Sequence, residues 1–383
     1  EGSVSMHVLG DNSSNCYLKP GEEGSLDKKD KTIRVEKGDV EFAKMWTNEK
    51  VKLENNFAVR LGGNISTSNS NQIYLGLSYQ DLNYYAKEFI LDGQLGKVYN
   101  NVQFMAKIDF ATAIPTSYRL IGSISTFDYF KKDKLFSRNN KPAFNQKDER
   151  FLKLQVGLPF LSSKRAEFGV GIARIEDKYF QKSVIDFGND KFDKSRYDLF
   201  GGSISFNGST LNSKQYPTRG YREALVAQIF VGKERFYPGE GSTTSNNKDH
   251  HSWLQLSYMK EKYHNMSEHW VLGWYLKALY ASKNFSENYT ATMMQAGEFS
   301  PTLHSKLTYN EAFRANQFVG AGIRPIYRLS QMFHLRGEFY GFMPIYPIEK
   351  NSLNKAYYGK AFSKFEYLGE ISVVCQLPFG DIS

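Results

Sequence analysis

Hydrophobic and polar residues alternate with a period of two along most of the chain. Between Phe333 and Met343 the odd-numbered positions are all apolar or small, whereas His334, Arg336 and Glu338 fall on the other face with Tyr340 and Phe342. Successive side chains of a β-strand point to opposite sides, so this period predicts a strand. Similar segments recur from Phe57 onward, and each is about long enough to cross a bilayer when tilted. The pattern predicts an all-β, transmembrane, antiparallel up-and-down β-barrel.

About fourteen strands can be counted in this way. The clearest is the segment from Val102 to Phe110, in which Gln103, Lys107 and Asp109 share one side. The residues Leu329-Ser330-Gln331 form a connection too short for anything but a hairpin. The last strand runs from Phe365 to Leu377, with few residues after it and no aromatic final strand, so we expect a barrel that stops one hairpin short.

Long and short connections alternate along the predicted barrel. The long ones include 131–150, 181–196, 236–250 and 283–314, and the short ones include 161–164 and 264–268. Bacterial barrels have short periplasmic turns and long outer loops, so the N-terminus is expected in the periplasm. One inner turn, 207–219, is unusually long. Residues 1–55 are charged and weakly periodic, which predicts a periplasmic segment ahead of a barrel over 56–383.

Composition agrees with this fold. The 383 residues include 29 Phe, 25 Tyr and 31 Gly but only 11 Pro, the mean hydropathy is −0.50, and no apolar run approaches the roughly 18 residues of a helical span. The net charge of +9 comes from basic residues scattered among acids, which indicates a solvated rim rather than a nucleic-acid surface. We read Trp253, Trp270 and Trp274 as aromatic girdles, and we expect outer-membrane lipids and lipopolysaccharide as partners, with other outer-membrane or periplasmic subunits.

Three segments carry a family resemblance. The first, Leu211 to Tyr221, contains Pro217-Thr218-Arg219-Gly220, which resembles the periplasmic Pro-Thr-(Lys/Arg)-Gly turn of BamA-like surface-antigen barrels. The second, Phe313-Arg314-Ala315, is similar to the Val-Arg-Gly-Phe motif of an in-folded loop, although Ala replaces Gly. The third, 318–347 with 365–379, resembles the barrel of Bacteroidota patatin-like phospholipases. The resemblance implies sixteen strands in the intact protein.

Arg314 has a predicted role that does not depend on the family. A long loop folded into a barrel needs an anchor, and an arginine paired with a carboxylate in a partly dry interior provides one. Alternation puts Glu338 and Arg336 on the inner face, so we expect Arg314 to pair with Glu338 and to form a lumen anchor with these residues. The alternative is a solvated Arg314 paired with Glu311.

Catalytic chemistry is not indicated. Patatin-like enzymes use a serine in Gly-x-Ser-x-Gly, and the chain contains no such motif. Asp92-Gly93 lies inside a predicted strand, which favours a lumen-facing carboxylate. His250 and His251 are adjacent and lack a third ligand at useful spacing, so a loop tip is favoured over metal, and the same holds for His264 and His269. No cofactor or metal is predicted.

The leading hypothesis is an outer-membrane barrel that anchors, and helps to export, a patatin-like phospholipase domain outside this chain. The alternatives are a BamA-like barrel for outer-membrane protein assembly or translocation, and a transport channel without enzymatic activity. A soluble β-sandwich is disfavoured, because strips such as Val102 to Phe110 would then be exposed apolar surface.

Overall fold

A computed structural model of the chain describes a β-rich protein. It describes residues 4–7, 15–18, 22–27, 32–37, 55–64, 72–82, 85–110, 114–128, 145–161, 164–180, 191–213, 216–239, 242, 246–302, 305–307, 309–330, 332–377 and 380–382. The chain divides into two compact units. One consists of 1–55 with 81–83, and the other of 56–80 with 84–383.

The first unit contains two antiparallel hairpins. Strand β1 (Val4–His7) pairs with β2 (Asn15–Leu18), and β3 (Glu22–Asp27) pairs with β4 (Thr32–Lys37).

The second unit is built on one antiparallel sheet, which has 15 strands in the described part of the chain. They are β5 (Asn56–Asn64), β6 (Gln72–Leu82), β7 (Ala86–Gly96), β8 (Tyr99–Phe110), β9 (Thr116–Asp128), β10 (Asn145–Phe160), β11 (Lys164–Tyr179), β12 (Asp193–Ser209), β13 (Gly220–Tyr237), β14 (Asn247–Asn265), β15 (Trp270–Ala281), β18 (Gln317–Arg328), β19 (Phe333–Pro344), β22 (Glu366–Leu377) and β23 (Gly380–Ile382).

Each strand of this sheet lies beside its neighbours in the chain order, from β5 at one end to β23 at the other. This up-and-down order confirms the predicted topology, including the hairpin between β18 and β19. The expectation that the strands end at Leu377 is wrong, because β23 turns back and pairs with β22 through Cys375↔Ile382 and Leu377↔Gly380.

The connections separate the sheet into two ends. At what we call the long-loop end lie the connections 129–144, 180–192, 238–246, 282–316 and 345–365. At the short-turn end lie 83–85, 111–115, 161–163, 210–219, 266–269 and 329–332.

Two long connections contain further elements. Connection 282–316 holds helix α1 (Tyr289–Gln295) and the paired strands β16 (Gly297–Glu298) and β17 (Arg314–Ala315), with 3-10 helices at Ser305–Leu307 and Glu311–Phe313. Connection 345–365 holds the hairpin β20 (Ile348–Lys350) and β21 (Ala356–Tyr358).

The two faces of the sheet differ as the alternation predicts. Large apolar side chains on the outer face are exposed, among them Phe104 at 42%, Leu272 at 38% and Val373 at 58%. On the inner face of β19, by contrast, His334, Arg336, Glu338, Tyr340 and Phe342 are all buried. The apolar residues of the outer face are therefore not gathered in a dry core, which is the arrangement of a barrel wall in lipid. Within the described residues, no helix has the length and apolar character needed for a membrane span.

Candidate functional site

The connection 282–316, which we call the in-folded loop, packs against the inner face of the sheet. Its Phe299 is 2% exposed and belongs to a buried aromatic cluster with Tyr275, Phe318, Tyr340 and Phe342. Lys277 of β15 donates from Nζ to the Glu298 carbonyl oxygen at 2.7 Å. Aromatic packing and a charge-assisted hydrogen bond therefore hold this loop on the wall.

Arg314 fixes the loop to itself. Its Nη1 donates to the carbonyl oxygens of Met293, Met294 and Ala296 at 3.4, 3.2 and 3.4 Å, and its Nη2 donates to the Glu298 carboxylate. The last carbonyls of a helix have no partner within the helix, and a cation is favoured there. Arg314 therefore caps α1 and links the paired strands β16 and β17.

The predicted partners of Arg314 are wrong. Both Glu338 and Glu311 were proposed, but Arg314 pairs with Glu298. Glu338 instead receives the guanidinium of Arg336, and Glu311 accepts from the Tyr289 hydroxyl at 3.2 Å. Alternation gives the face of each residue, but the fold of the loop decides which inner carboxylate Arg314 can reach.

Arg336 is 1% exposed and joins the wall to the turn at 210–219. Its Nε donates to Glu338, its Nη2 donates to the Tyr263 hydroxyl at 3.0 Å, and its Nη1 donates to the Pro217 carbonyl oxygen at 2.9 Å. A rigid guanidinium fork suits a buried position when its nitrogens have acceptors, and each of the three nitrogens of Arg336 donates one hydrogen bond. Arg336 thus holds the turn against the inner face.

Arg324 makes the matching connection to the in-folded loop. It pairs with Glu261, donates to the hydroxyls of Tyr263 and Tyr340, and donates from Nη2 to the Pro301 carbonyl oxygen at 3.2 Å. Arg324 lies opposite Gly273, close to the short-turn ends of β15 and β18. The loop therefore begins at the long-loop end and reaches a residue near the opposite end.

The two arginines form one connected network, which we call the lumen network. Its members are Glu261, Tyr263, Arg324, Arg336, Glu338 and Tyr340, all buried. The Tyr340 hydroxyl donates to Glu338, and Arg324 lies 3.7 Å from the same carboxylate. Two guanidinium cations therefore face two carboxylates, which is the condition under which buried charge is tolerated.

A polar cavity of about 340 Å³ lies beside the lumen network. The turn lines it with Tyr216 and Pro217, the in-folded loop with Pro301 and Thr302, and the wall with Arg324 and Arg336. The loop tip and the turn thus face the same space from opposite ends of the sheet.

The predicted turn motif has a local hydrogen-bonded frame. Asn212 Oδ1 accepts from the backbone N–H of Thr218 and of Arg219, both at 3.0 Å, and Asn212 Nδ2 donates to Thr218 Oγ1 at 3.2 Å. A side-chain amide that replaces backbone partners stabilises an irregular turn. Pro217 and Thr218 are buried and Arg219 is exposed, so the turn directs Pro217 toward Arg336.

Gly220 ends this turn for a steric reason. Its φ is +92°, and a Cβ at this position would lie 2.1 Å from the Thr210 carbonyl oxygen. Only glycine adopts this conformation without strain. The motif Pro-Thr-Arg-Gly therefore combines a carbonyl for Arg336 with the glycine that lets the chain enter β13.

A second polar cluster, which we call the loop-base cluster, lies at the long-loop end. It contains Tyr197, Glu234, His251, Trp253 and Lys283, all buried. His251 Nε2 lies 2.8 Å from Glu234 Oε2, and the Tyr197 hydroxyl donates to Glu234 Oε1 at 3.0 Å. Lys283 Nζ lies 4.6 Å from the centre of the Trp253 ring and 5.4 Å from that of Tyr197.

Burial lowers the pKa of Lys283 to about 8. Desolvation is the main cause, since removal from water disfavours the ammonium form. Elsewhere in the loop, burial raises the pKa of Tyr309, whose ring lies 4.7 Å from the Arg314 guanidinium carbon. Tyr309 therefore stays neutral and presents a ring face to Arg314.

Two interpretations from the sequence are wrong. His250 and His251 lie in β14, and His251 is buried against Glu234 rather than at a loop tip. Trp253 is 6% exposed on the inner face, so it is not a girdle residue, whereas Trp270 is 50% exposed on the outer face. Among the described ranges, no group of three His, Cys, Asp or Glu side chains is placed to hold a metal ion.

Sequence reasoning missed Arg324, Glu261, Lys283 and Glu298. Each is an ionisable residue in or beside a predicted strand or loop, and alternation places Arg324 and Glu261 on the inner face. That signal identifies a polar inner face, but it does not identify which residues meet.

The fold is similar to that of solved bacterial outer-membrane barrels, among them one that overlaps most of this chain. The crystal structure of BamA from Haemophilus ducreyi lacking POTRA domains 1–3 matches with a TM-score of 0.54 and 10% sequence identity, over 94% of this chain and 84% of that chain. This likeness confirms the predicted all-β, BamA-like up-and-down barrel fold. No protein-family model matches the chain, and no curated protein matches it.

Proposed function

We infer that the chain is a bacterial outer-membrane barrel with a periplasmic N-terminus that assembles or translocates other proteins, and that its in-folded loop closes the lumen. The main observation that supports a closed lumen is the lumen network. In it, Arg324 binds the Pro301 carbonyl of the loop and Arg336 binds the Pro217 carbonyl of the turn. A solute channel needs an open, water-filled interior, whereas here the in-folded loop and the turn enter the inner space from opposite ends. The likeness to a BamA barrel supports the same function.

In this proposal Arg314, Glu338 and Arg336 act as the lumen anchor in two parts. Arg314 keeps the loop folded on itself, and Arg336 with Glu338 keeps the turn docked on the wall. Residues 217–220 supply the docked turn at the periplasmic side. Buried charge pairs of this kind fix one arrangement, because a lost partner leaves an uncompensated charge.

Conductance tests the closed lumen. The wild-type chain and a variant lacking residues 300–312 are inserted into planar lipid bilayers, and single-channel currents are recorded. We expect small or no currents for the wild type and steady, larger ones for the deletion. Stable porin-like conductance of the wild type would contradict a closed lumen.

Catalysed folding tests the assembly function. Liposomes with and without the protein receive an unfolded outer-membrane barrel protein, and its folding is followed by heat-modifiable migration on a gel. Faster folding with the protein supports assembly, and equal rates count against it.

The second candidate follows from the resemblance of 318–347 and 365–379 to patatin-linked barrels. In that case the barrel anchors a phospholipase domain that lies outside this chain, because no Gly-x-Ser-x-Gly occurs here. Cells that express the full gene are assayed for fatty-acid release from phospholipid. Release that depends on a serine elsewhere in the gene product supports this candidate.

A further inference from the structure

The outer face of β10 to β13 carries an unusual row of charges at the long-loop end. The strand register places Arg150 opposite Arg174, Arg174 opposite Asp198, and Asp198 opposite Lys233. Residues directly opposite in antiparallel strands lie about 5 Å apart, and like charges there repel. The row therefore places three cations and one carboxylate across four neighbouring strands.

This row, together with the charged residues next to it toward the long loops, contains more cations than carboxylates. Arg174, Arg196 and Arg235 all approach the single carboxylate of Asp198, at 2.6, 3.5 and 3.9 Å. Arg150 and Lys233 have no carboxylate within 4 Å among the described residues. Exposed cations clustered around one carboxylate form a site for an anion.

The nearest other carboxylates are already paired. Asp148 and Glu176 lie on the same face, two residues nearer the long loops than Arg150 and Arg174. They bind Lys178 at 3.0 Å and Lys194 at 2.9 Å, respectively. Neither carboxylate therefore compensates the excess positive charge beside Asp198.

An apolar groove begins directly below the row. The next outward-facing level contains Leu152, Ile172, Phe200 and Val231, which lie opposite one another in register. A groove of about 760 Å³ extends from there across the outer face to Leu91 of β7, and Arg150, Arg174 and Lys233 line its charged end. Positive charge thus borders an apolar surface wide enough for several hydrocarbon chains.

The level of the row matches a membrane interface. On β11 the outward-facing residues Ala166, Phe168, Val170 and Ile172 are apolar, and Arg174 follows them. Arg174 lies ten positions after Lys164, and a tilted strand of about 9–11 residues crosses a bilayer. The cations therefore lie where the headgroups of one leaflet would be, with the groove at the depth of its acyl chains.

We propose that this outer surface binds a phosphorylated, multi-acyl glycolipid of the lipid A type. Its phosphates contact Arg150, Arg174 and Lys233, and its acyl chains occupy the groove below. The width favours this lipid over a two-chain phospholipid, because the charged row spans four strands, about 15 Å at the usual strand spacing. The assignment rests on the proposed outer-membrane location, since such glycolipids form the outer leaflet on the side of the long loops.

The test compares binding of defined lipids to the full chain in detergent. Phosphorylated lipid A, dephosphorylated lipid A, phosphatidylglycerol and inorganic phosphate are titrated, and bound lipid is counted by native mass spectrometry. The variant Arg150→Gln/Lys233→Gln removes the two cations that have no paired carboxylate. The control Lys87→Gln/Lys262→Gln removes two lysines of the outer face at the short-turn end.

We expect phosphorylated lipid A to bind tightest to the wild type and to the control. Each removed cation should weaken the binding of phosphorylated lipid A roughly fivefold, so the variant should prefer phosphorylated over dephosphorylated lipid A much less than the wild type does. Equal binding of phosphatidylglycerol and lipid A, or equal losses in variant and control, would overturn the glycolipid site. Binding of inorganic phosphate alone with no preference for lipid A would also overturn it.

Membrane location is measured separately, so the two proposals fail in different ways. Heat-modifiable migration and outer-membrane fractionation of wild type and variant report whether a barrel forms. A barrel in the outer membrane without lipid A preference refutes the site alone, whereas absence from the outer membrane refutes the location on which it rests.

Discussion

The in-folded loop is held by different chemistry at its two ends. At its tip, the lumen network matches two guanidinium groups with two carboxylates, and two tyrosine hydroxyls complete the hydrogen bonding. At its base, Lys283 lies between the rings of Trp253 and Tyr197, and its one hydrogen-bond acceptor among the described residues is Gln295 Oε1 at 3.4 Å. The tip is therefore held by paired buried charges, whereas at the base a buried ammonium group contacts mainly the faces of aromatic rings.

The loop-base cluster also contains buried polar atoms without partners. In the described part of the chain, His251 Nδ1 and Trp253 Nε1 make no hydrogen bond. Unsatisfied polar groups cost stability, whereas fully satisfied networks fix one conformation. The comparison therefore indicates a fixed anchor at the tip and a base whose docking depends on protonation.

The largest effect is expected from Arg336→Ala. It leaves Glu338 buried beside only the more distant Arg324 and removes the donor to the Pro217 carbonyl, so the free energy of unfolding should fall by about 3–5 kcal/mol. Urea unfolding in lipid vesicles, followed by tryptophan fluorescence, measures this change. Arg328→Ala is the control, because Arg328 bonds Asn265 Oδ1 at an exposed position, and it should cost less than about 1 kcal/mol. Equal losses of unfolding free energy in the two variants would mean that Arg336 contributes no more than an exposed arginine and is not an anchor.

Arg314→Ala should release the loop while the wall stays folded. The variant loses four acceptors for one guanidinium, and the stability of loop docking should fall by about 2–4 kcal/mol. Protease added to intact cells should then cut near Met293 at least tenfold faster. Lys360→Ala, an exposed lysine in a neighbouring loop, should leave the cutting rate unchanged. Unaltered digestion of the Arg314 variant would show that the loop does not depend on this cap.

The base should respond to pH through Lys283. Its pKa is about 8 in the folded protein against 10.5 for an ordinary lysine, so the unfolded chain binds more protons between these values. Stability of the docked base should therefore rise as pH increases from about 8 to 10.5, by at most about 3 kcal/mol.

Hydrogen exchange of loop amides across this pH range, corrected for the intrinsic rate, measures the effect. Lys283→Met keeps much of the side-chain volume and should abolish the dependence. A pH dependence that survives in Lys283→Met would show that Lys283 is not its source.

The smallest effect is expected at the turn. Gly220→Ala forces a side chain into a left-handed backbone conformation against the Thr210 carbonyl, at a cost of about 1–3 kcal/mol. Gly93→Ala is the matched control, because the nearest atom to its added Cβ is 3.7 Å away. Thermal unfolding midpoints compare the two variants. A similar midpoint for both would mean that the turn adjusts freely, contrary to a docked role.

Much of the wall could be predicted from the sequence. A strand places successive side chains on opposite faces. The position in the sequence therefore predicts that Leu335 and Phe339 lie on the outer face and Arg336 on the inner face. The same rule predicted about fourteen strands, one fewer than the described sheet contains, and the lengths of the segments between them predicted the two kinds of connection. The girdle interpretation of Trp253 was wrong because it came from composition, whereas the alternation along β14 places the ring on the inner face.

The amino-acid sequence by itself therefore determined the barrel strands, their alternating faces and the position of the long loop that contains Arg314. These features depend on a period of two and on pairing between strands that are consecutive in the chain. Only the tertiary structure decided that Arg314 bonds Glu298, that Arg324 reaches Pro301, and that Arg150 and Lys233 share one row. Those contacts join residues far apart in sequence, and they depend on register and on the path of a loop that no local pattern specifies.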